Sequence, residues 1–508
     1  MPVNPTYPGV YIEEHPSGVH TITGVATSIA CFIGWAPKGP TTKAQLVLSW
    51  ADFNNQFGGL DSRGLLGYAV NQFFANGGTQ AYIVRLVDTT DTPKAAAATA
   101  SLPPLTVNAL NMGGWGNNYS TAIKNPSPAT GRFQLQVLYT PSGSPTPPPV
   151  LVESFENLTT ISPDPQGRNV VDVVNNGSNY ITVAAPSGTT TLPSDTGSTP
   201  VALSGGNDGN VLSPSTDPTA GNAFDTAVAS TTALLDQIDL FNLLCIPGEC
   251  VTSTLITLEG YCEKRRAFLI ADSGPLITDY TKLATGPGFT GAGGNAAFYF
   301  PWIQAPDPLN GNVSRNYPPC GFVAGLYAST DASHGVWKAP AGTSVALAGA
   351  TGVAVPLNDA QNGQLDPVAV NCIRNSSVYG TVIWGARTTQ GNDELGSLWK
   401  YVPVRRLALF LEESLYRGTQ WAVFEPNSEP LWAQIRMNVG SFMQTLFKQG
   451  AFQGSSPQQA YFVKCDSETT TSTDQDNGIV NILVGFAPLK PAEFVIIQIQ
   501  QMAGQTGA

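Results

Sequence analysis

A cluster of side chains that could do chemistry lies beyond the middle of the chain, in the stretch LYASTDASHGVWKAPAG. Its polar members are Ser329, Asp331, Ser333 and His334. A serine nucleophile, a histidine base and an orienting aspartate could together perform acyl transfer. Members of such a triad converge from separate elements of a fold, however, and the GxSxG motif is absent. We therefore expect a polar loop held by local hydrogen bonds, and no hydrolase site.

Two glycine-rich stretches have the spacing of phosphate-binding loops. GWAPKGP places Gly34 and Gly39 correctly, but Pro40 stands where a P-loop needs its lysine. GPGFTG, residues 286–291, matches the dinucleotide fingerprint GxGxxG. No strand precedes it, and more glycine follows it instead of a helix. We expect a turn at the first stretch and a flexible loop at the second, with no bound cofactor.

The residues that bind metals or act as paired acids show no suitable spacing. The three histidines, His15, His20 and His334, form neither HExxH nor another metal pattern. Glu412 and Glu413 are adjacent, so a helix would point them in different directions. The seven cysteines are scattered, have no CxxC pair and several have apolar neighbours, which predicts buried free thiols in a reducing compartment. The sequence therefore predicts neither an enzyme nor a metal site.

Composition and charge narrow the choice of partner. The formal net charge is −12 and the longest basic run is Lys264-Arg265-Arg266, which argues against nucleic acid. Charged residues make up only 12% of the 508 residues, about half the usual share of roughly 25%. Such a poorly charged surface suggests cover by partner subunits. No secretory signal or membrane-spanning stretch occurs, so we expect folding in the cytoplasm and no membrane insertion.

The elements that would position any site follow an α/β order at first. Residues 25–36 and the stretch QAYIVRLV are apolar runs typical of buried strands. Between them, residues 64–76 carry apolar side chains at helical spacing. From about residue 99 to 204 the chain is rich in Thr, Ser, Pro, Asn and Gly, with short alternating runs that predict a β-rich insert. The α/β pattern returns at 220–275.

The region after residue 400 has the most regular pattern. One predicted helix carries Val404, Leu407, Leu411 and Leu415 on one face. The next spans 429–449, and its apolar face comprises Leu431, Ile435, Val439, Phe442 and Leu446. Two predicted strands, AYFVKCD and IVNILVGFAP, follow on either side of a polar loop, ETTTSTDQDNG.

Strand-like segments at both chain ends have no evident partner within the chain. PTYPGVYIEE places Val10 and Ile12 on one side of a short strand, and no hairpin turn follows it. PAEFVIIQIQQ, residues 491–501, has the same character near the other end. A terminal strand can satisfy its backbone groups by adding to an exposed sheet edge, and these residues alone leave open which edge that is.

Many segments, in one order along nearly the whole chain, resemble contractile tail sheath proteins of contractile phages and related extracellular injection systems. They are PTYPGVYIEE, TSIACFIGWAPKGP, SWADFNNQFGG, AVNQFFANGGTQAYIVRL, GGWGNNYS, FENLTT, LSGGNDG, CGFVAGLYASTDASHGVWKAPAG, VIWGART, YVPVRRLALFLEESLYRGTQWAVFEPNSEPLW and FVKCD…NGIVNILVGFAPLKPAEFVIIQI.

The resemblance implies a mixed α/β, multi-domain fold whose inner sheath domain is built from both chain ends. It implies an N-terminal strand-donating arm at 1–22 and a central α/β domain formed by 23–98 and 205–385. A β-rich outer domain would be inserted at 99–204. The inner domain would end the chain at 386–489, followed by a C-terminal arm at 490–508.

The implied function is structural. Subunits polymerise around an inner tube in an extended, metastable state, and contraction drives the tube through a target cell envelope. The implied partners are the chain itself, the tube protein, baseplate and terminator proteins, and possible sheath paralogues, within a particle assembled in the bacterial cytoplasm. The alternative is a non-contractile self-assembling shell or fibre protein.

The resemblance and the terminal strands together assign residues to three assembly roles. Strand donors are Val10, Tyr11, Ile12, Glu13, Phe494, Val495, Ile496, Ile497 and Ile499. The acceptor sheet contains Val463, Ile482 and Val484. Tube contact is assigned to polar residues of the helix at 429–449, namely Gln434, Arg436, Gln444 and Lys448.

Overall fold

The computed structural model describes residues 20–141, 147–291, 293–344 and 346–498. Its strands are β1 (Ala30–Trp35), β2 (Gln45–Val47), β3 (Ala81–Leu86), β4 (Ala95–Ala96), β5 (Thr99–Leu102), β6 (Leu105–Ala109), β7 (Tyr119–Ser127), β8 (Arg132–Tyr139), β9 (Val150–Leu158), β10 (Ile181–Ala184), β11 (Val201–Ala202), β12 (Asn207–Asp208), β13 (Leu243–Cys245), β14 (Phe268–Asp272), β15 (Ala296–Phe300), β16 (Ile303–Asp307), β17 (Val313–Tyr317), β18 (Gly352–Val353), β19 (Val370–Ser376), β20 (Gly380–Ile383), β21 (Tyr461–Lys464) and β22 (Leu483–Phe486).

The helices are α1 (Trp50–Phe57), α2 (Leu66–Ala75), α3 (Val170–Gly177), α4 (Ala223–Ala229), α5 (Thr232–Leu235), α6 (Thr252–Arg265), α7 (Cys320–His334), α8 (Asp359–Leu365), α9 (Val402–Gly418), α10 (Glu429–Lys448), α11 (Pro457–Ala460) and α12 (Ser472–Asp476).

The chain divides into two compact units. The terminal unit contains residues 1–27, 330–339 and 401–508, and the central unit contains 28–329 and 340–400. The terminal unit is thus formed by both chain ends and one short internal segment. The finer boundaries expected from the sequence, including the breaks at 22, 385 and 489, stay predictions.

An eight-stranded sheet forms the centre of the central unit. Its order is β2-β3-β1-β13-β14-β15-β19-β20, parallel from β3 to β19, with an antiparallel strand at each edge. Every residue of β1 and of β14 is buried. Continuous apolar runs are typical of parallel strands that are covered on both faces, so the mixed α/β fold expected from the sequence is confirmed.

One close helix contact in this unit depends on glycine. A Cβ atom on Gly321 of α7 would lie 2.4 Å from the carbonyl oxygen of Ala69 in α2. One turn later, a Cβ on Gly325 would lie 2.7 Å from the carbonyl oxygen of Phe73. The two glycines let the backbones of α2 and α7 approach closely, which no larger residue would permit.

Two smaller sheets occupy the region predicted to be β-rich. Their orders are β10-β6-β5 and β11-β7-β8-β9, and all pairs are antiparallel. They share one core with α3, which includes Val107, Leu135, Val174 and Ile181. Alternation of buried and half-exposed residues along β8 explains why its sequence is less apolar than β1.

The terminal unit packs around α9 and α10. The predicted apolar faces of these helices are confirmed, because Leu407, Leu411, Ile435, Val439 and Phe442 are buried in one cluster. The two strands predicted after α10 are confirmed as β21 and β22, and they pair antiparallel. The predicted loop between them contains the short helix α12, which begins with a capping box formed by Thr471 and Asp474.

The cluster of chemistry-bearing residues at 329–334 is not a loop, so that prediction was wrong. All of these residues lie on α7, an apolar helix that continues through them. Ser333 Oγ lies 2.8 Å from His334 Nδ1, but Asp331 instead receives hydrogen bonds from Arg406. The aspartate therefore does not orient the histidine, and a catalytic triad is not formed.

The described residues also hold no group of His, Cys, Asp or Glu suited to a metal ion. All seven cysteines are buried and free. In the same ranges no helix is long and apolar enough to cross a membrane.

Three acidic side chains of the central unit are fully buried. Burial raises the pKa of Asp272 to about 7, although the amide groups of Gly248 and Cys320 donate to its oxygens at 2.9 and 2.8 Å. Burial also raises the pKa of Glu259 to about 7. The pKa of Glu249 rises to about 8, first through burial and then through the neighbouring Asp225. Folding therefore shifts each of these groups towards its protonated form.

We predict that Glu249→Gln reduces the loss of stability with rising pH. The folded pKa of Glu249 lies above its ordinary value of 4.5, so the folded state holds this proton between about pH 4.5 and 8. Its contribution to stability is complete below that window and is lost as the pH rises through it. Glutamine keeps an oxygen for the Val251 amide, which donates to Glu249 Oε1 at 2.6 Å.

Thermal melts at pH 5 and pH 8.5 measure this effect. The variant should lose less in Tm between the two values than the native chain. Glu394→Gln, at an exposed carboxylate, is the matched control and should keep the native difference. Equal differences for all three chains would contradict the assignment.

Candidate assembly surfaces of the terminal unit

An extended segment, residues 20–27, lies along helix α9 and is called the strap below. The ring of His20 stacks on Trp421 just beyond the helix, with centroids 4.1 Å apart. Ile22 is buried against Gly418, and the Val25 amide donates to Ser414 Oγ at 3.1 Å. The strap runs towards the N-terminus of α9 and meets it about once per helical turn.

The strap ends at a buried ion pair. Arg406 Nη1 and Nη2 donate to the two carboxylate oxygens of Asp331 at 2.9 and 2.6 Å. Arg406 also donates to the carbonyl oxygen of Thr27 at 2.9 Å, and the Thr27 hydroxyl donates to Asp331 at 2.7 Å. The charged side chains are only 3% and 4% exposed. Removing one partner from such a pair costs about 3–5 kcal/mol, because the other charge is left buried.

Sequence reasoning missed this function of Arg406 and Asp331. The signal was a buried-looking arginine in the helical stretch VPVRRLALF, at a position where a cation needs a partner. Nothing in the local pattern identified the partner, which lies 75 residues away.

The expected strand donors divide into two groups. Val10, Tyr11, Ile12 and Glu13, together with Ile499, lie outside the described residues. The apolar run Phe494–Ile497 is described and carries neither helix nor strand. Its four side chains are between 76% and 83% exposed. Four consecutive large apolar side chains in water form an unfavourable surface, and burial of each is worth about 1.5–3 kcal/mol.

The expected acceptor residues lie together on the β21–β22 ladder. Val463 and Val484 are direct cross-strand partners, and Ile482 immediately precedes β22. All three pack against the core of α9 and α10. Each strand has one strand neighbour among the described residues, so each has one side without a ladder. A two-stranded sheet is only marginally stable by itself. The helices support it here, and Phe452 forms an isolated bridge with Pro488 just beyond the end of β22.

The four polar residues assigned to tube contact have different surroundings on α10. Lys448 is exposed and Gln434 is half-buried. Arg436 pairs with Glu429 at 2.5 Å and also donates to the carbonyl oxygen of Cys465. Gln444 accepts a hydrogen bond from the Tyr461 hydroxyl at 2.8 Å. Two of the four therefore also have partners within the terminal unit.

The exposed face of α10 consists of other residues as well. Met437 is 55% exposed, and Ser441, Thr445 and Lys448 follow it at intervals of one turn. This stripe is opposite to the buried face of Ile435, Val439 and Phe442. The spacing of this stripe is visible in the sequence. The sequence prediction selected polar residues instead of residues at one angular position around the helix, so it did not include Met437.

Two family models match the chain. The phage tail sheath protein central domain matches residues 227–389, and the phage tail sheath C-terminal domain matches residues 394–502. Together they span more than half of the chain, in the order expected of one protein. The chain belongs to the contractile phage tail sheath family. The strap, α9, α10 and the β21–β22 ladder are therefore parts of a sheath protein.

Similar proteins extend this result. A putative prophage major tail sheath protein of Pseudomonas aeruginosa (strain UCBPP-PA14) is 28% identical over 273 residues, which is 51% of this chain and 66% of that protein. The sheath of an extracellular contractile injection system, solved in the contracted state, has a TM-score of 0.60 and 24% identity over 98% of both chains. A sheath tail protein from Listeria innocua has a TM-score of 0.62 at 12% identity, covering 92% of this chain and 96% of its own. These solved structures share the fold of this chain.

We predict that Gly418→Ala loosens the strap. Alanine normally stabilises a helix relative to glycine by up to about 1 kcal/mol. At this position, however, its Cβ would lie 2.6 Å from Ile22 Cγ2 and 2.7 Å from Cγ1. The strap must move away, so we expect a lower Tm and faster thermolysin cleavage between residues 20 and 27.

Gly440→Ala in α10 is the matched control. Apart from the backbone of its own helix, no atom lies within 4 Å of the Cβ that it would add, so this change should raise the Tm slightly and leave cleavage unchanged. If both variants were stabilised, the tight contact between strap and helix would be refuted.

Proposed function

We propose that this sheath protein polymerises by strand exchange around an inner tube and contracts to drive that tube through a target envelope. The observation that carries the proposal is that the terminal unit contains both a segment able to donate a strand and a small sheet able to accept one. An exposed apolar run, Phe494–Ile497, follows a small sheet, β21–β22, that has open edges. The run of one copy would supply the missing strand of another copy's sheet.

Strand addition suits a sheath that changes shape. A link of roughly four to six ladder hydrogen bonds, each worth about 1 kcal/mol net, would be strengthened by burial of Val495 and Ile497. Such a link stays closed while the bodies it connects move. Residues 1–19 precede the strap and would reach at most about 63 Å when fully extended, enough to cross to a neighbouring subunit.

The inner tube would contact the solvent-exposed face of α10. Met437, Ser441, Thr445 and Lys448 form a nearly uncharged stripe with one cation at its end. A stripe with one fixed charge allows close contact with a tube and few ionic contacts to break during contraction. Lys448 and Gln434 remain candidates from the sequence, and Arg436 and Gln444 would contribute only by exchanging or sharing their present partners.

The sheath itself would act without catalysis, using free energy stored in the extended lattice. Baseplate and terminator proteins, and sheath paralogues where they occur, would bind the ends or share the lattice. Assembly would take place in the bacterial cytoplasm, as part of a phage tail or tail-like particle.

Truncation tests the strand exchange. We expect that deletion of residues 1–19, or of 490–508, leaves a folded monomer that forms no tubes in negative-stain microscopy. The first deletion keeps the whole strap, so loss of assembly would not reflect loss of its contacts with α9. Hollow tubes of normal length from either truncated chain would refute the function of that arm.

Cysteine pairs identify the receiving edge. Ile12→Cys would be combined with Phe462→Cys on β21 or with Leu483→Cys on β22, both half-exposed. The native cysteines are buried, so they should not compete. We expect disulfide-linked oligomers from one of the two pairs. Disulfides formed only within one chain would show that the N-terminal segment returns to its own sheet.

A charge on the outer face of α10 tests the tube contact. Met437→Glu should abolish co-sedimentation with the tube protein but leave sheath-only polymers intact. Ile256→Glu, at an equally exposed site on α6, is the control and should retain tube binding. Unchanged tube binding by Met437→Glu would exclude this face.

A further inference from the structure

A tight turn just beyond α9 contains a phenylalanine where the backbone calls for glycine. The Glu425 amide donates to the Ala422 carbonyl oxygen at 3.3 Å, which closes a four-residue turn. Val423 has φ −69° and ψ 131°, and Phe424 has φ +69°. These angles are those of a type II turn, whose third residue is normally glycine or asparagine.

Within the described chain, no contact of the Phe424 side chain compensates for this conformation. A positive φ is strained for a bulky side chain. The side chain is also 102% exposed, so it contacts no core. Both the strain and the exposure are unfavourable for the free subunit, and asparagine or glycine would avoid both.

The chain after the turn is held firmly. Asn427 Nδ2 donates to the Ile479 carbonyl oxygen at 3.0 Å, and Trp432 Nε1 donates to Asn427 Oδ1 at 2.9 Å. Gln475 Nε2 donates to the Asn427 carbonyl oxygen at 3.3 Å. These bonds, with Pro426, fix the base of the turn. The ring therefore projects from a backbone that is already ordered, which lowers the entropic cost of binding.

We propose that Phe424 is an aromatic anchor that inserts into an apolar hollow on a second copy of this chain. Aromatic side chains presented on a rigid base are typical of the few residues that dominate an interface. Strain that the free subunit tolerates would be offset when the ring is buried.

The position of the strap indicates that a second copy is the occupant. His20, the first described residue, stacks on Trp421, three positions before Phe424. The strap therefore begins beside the turn, at Trp421. This step rests on the proposed function, in which residues 1–19 cross to another copy. The crossing segment would then start next to Phe424, so a second copy is the occupant that we infer.

Two substitutions at position 424 separate the effect of the backbone strain from that of the proposed contact between copies. Phe424→Asn tolerates the positive φ and removes the ring. We expect its monomer to melt about 1–3 °C higher, and its critical concentration for assembly to rise about tenfold or more. Phe424→Tyr keeps both ring and strain and should assemble like the native chain.

Leu398→Asn is the matched control. Leu398 is 82% exposed but lies in the central unit and has no positive φ. It should leave the critical concentration unchanged. If Phe424→Asn assembles like the native chain, the anchor is refuted while the sheath function stands. If the native chain forms no polymer, the proposed function itself fails.

Photocrosslinking identifies the occupant. With p-benzoylphenylalanine at position 424, assembled chains should yield a crosslinked dimer on irradiation. Adducts that join position 424 only to residues 1–19 of the same chain would overturn the proposal, because the ring would then be covered from within.

Discussion

A buried ion pair between Arg406 and Asp331 holds together three stretches that are distant in the sequence. Arg406 lies on α9, Asp331 near the end of α7, and Thr27, which binds both, at the end of the strap. A charge with so little exposure needs its partner, so none of the three stretches can shift alone. The strap lies along α9 because this end of it is fixed and because Gly418 leaves room for Ile22.

The terminal unit combines a tightly packed interior with surfaces that a free subunit would be expected to cover. Trp432, Met443 and Leu446 are buried, whereas Phe424 and the run Phe494–Ile497 are among the most exposed apolar side chains of the chain. The β21–β22 ladder has two open edges among the described strands. Exposed apolar runs and open sheet edges of this kind favour the binding of other chains, as expected of a family whose members form sheaths.

The central unit is built around a large buried core. Its parallel strands are buried on both faces, and its helices α2 and α7 touch at glycines. Carboxylic acids such as Glu249 and Asp272 are enclosed there, and burial is the largest cause of the raised pKa of each. Close packing of this kind resists deformation within the unit.

Much of this fold could be predicted from local patterns, because buried apolar residues recur with the period of the helix or strand that carries them. The run ACFIGW became β1, and the helical spacing of Leu407, Leu411, Ile435 and Val439 became the cores of α9 and α10. Where this periodicity is weak the prediction failed. The polar letters of STDASH lie on α7 because the helix is stabilised by the packing of its preceding apolar residues. Helix α12 was missed although Thr471 and Asp474 carry the capping signal.

The sequence alone determined the family, the α/β order and the two amphipathic helices, since each depends on residues close together in the chain. The tertiary structure decided the rest. It placed Asp331 against Arg406 and the strap against α9, it turned Met437 outward and gave Arg436 a partner, and it put Phe424 in a glycine conformation. These features depend on backbone angles and on contacts between distant residues, which composition and periodicity do not encode.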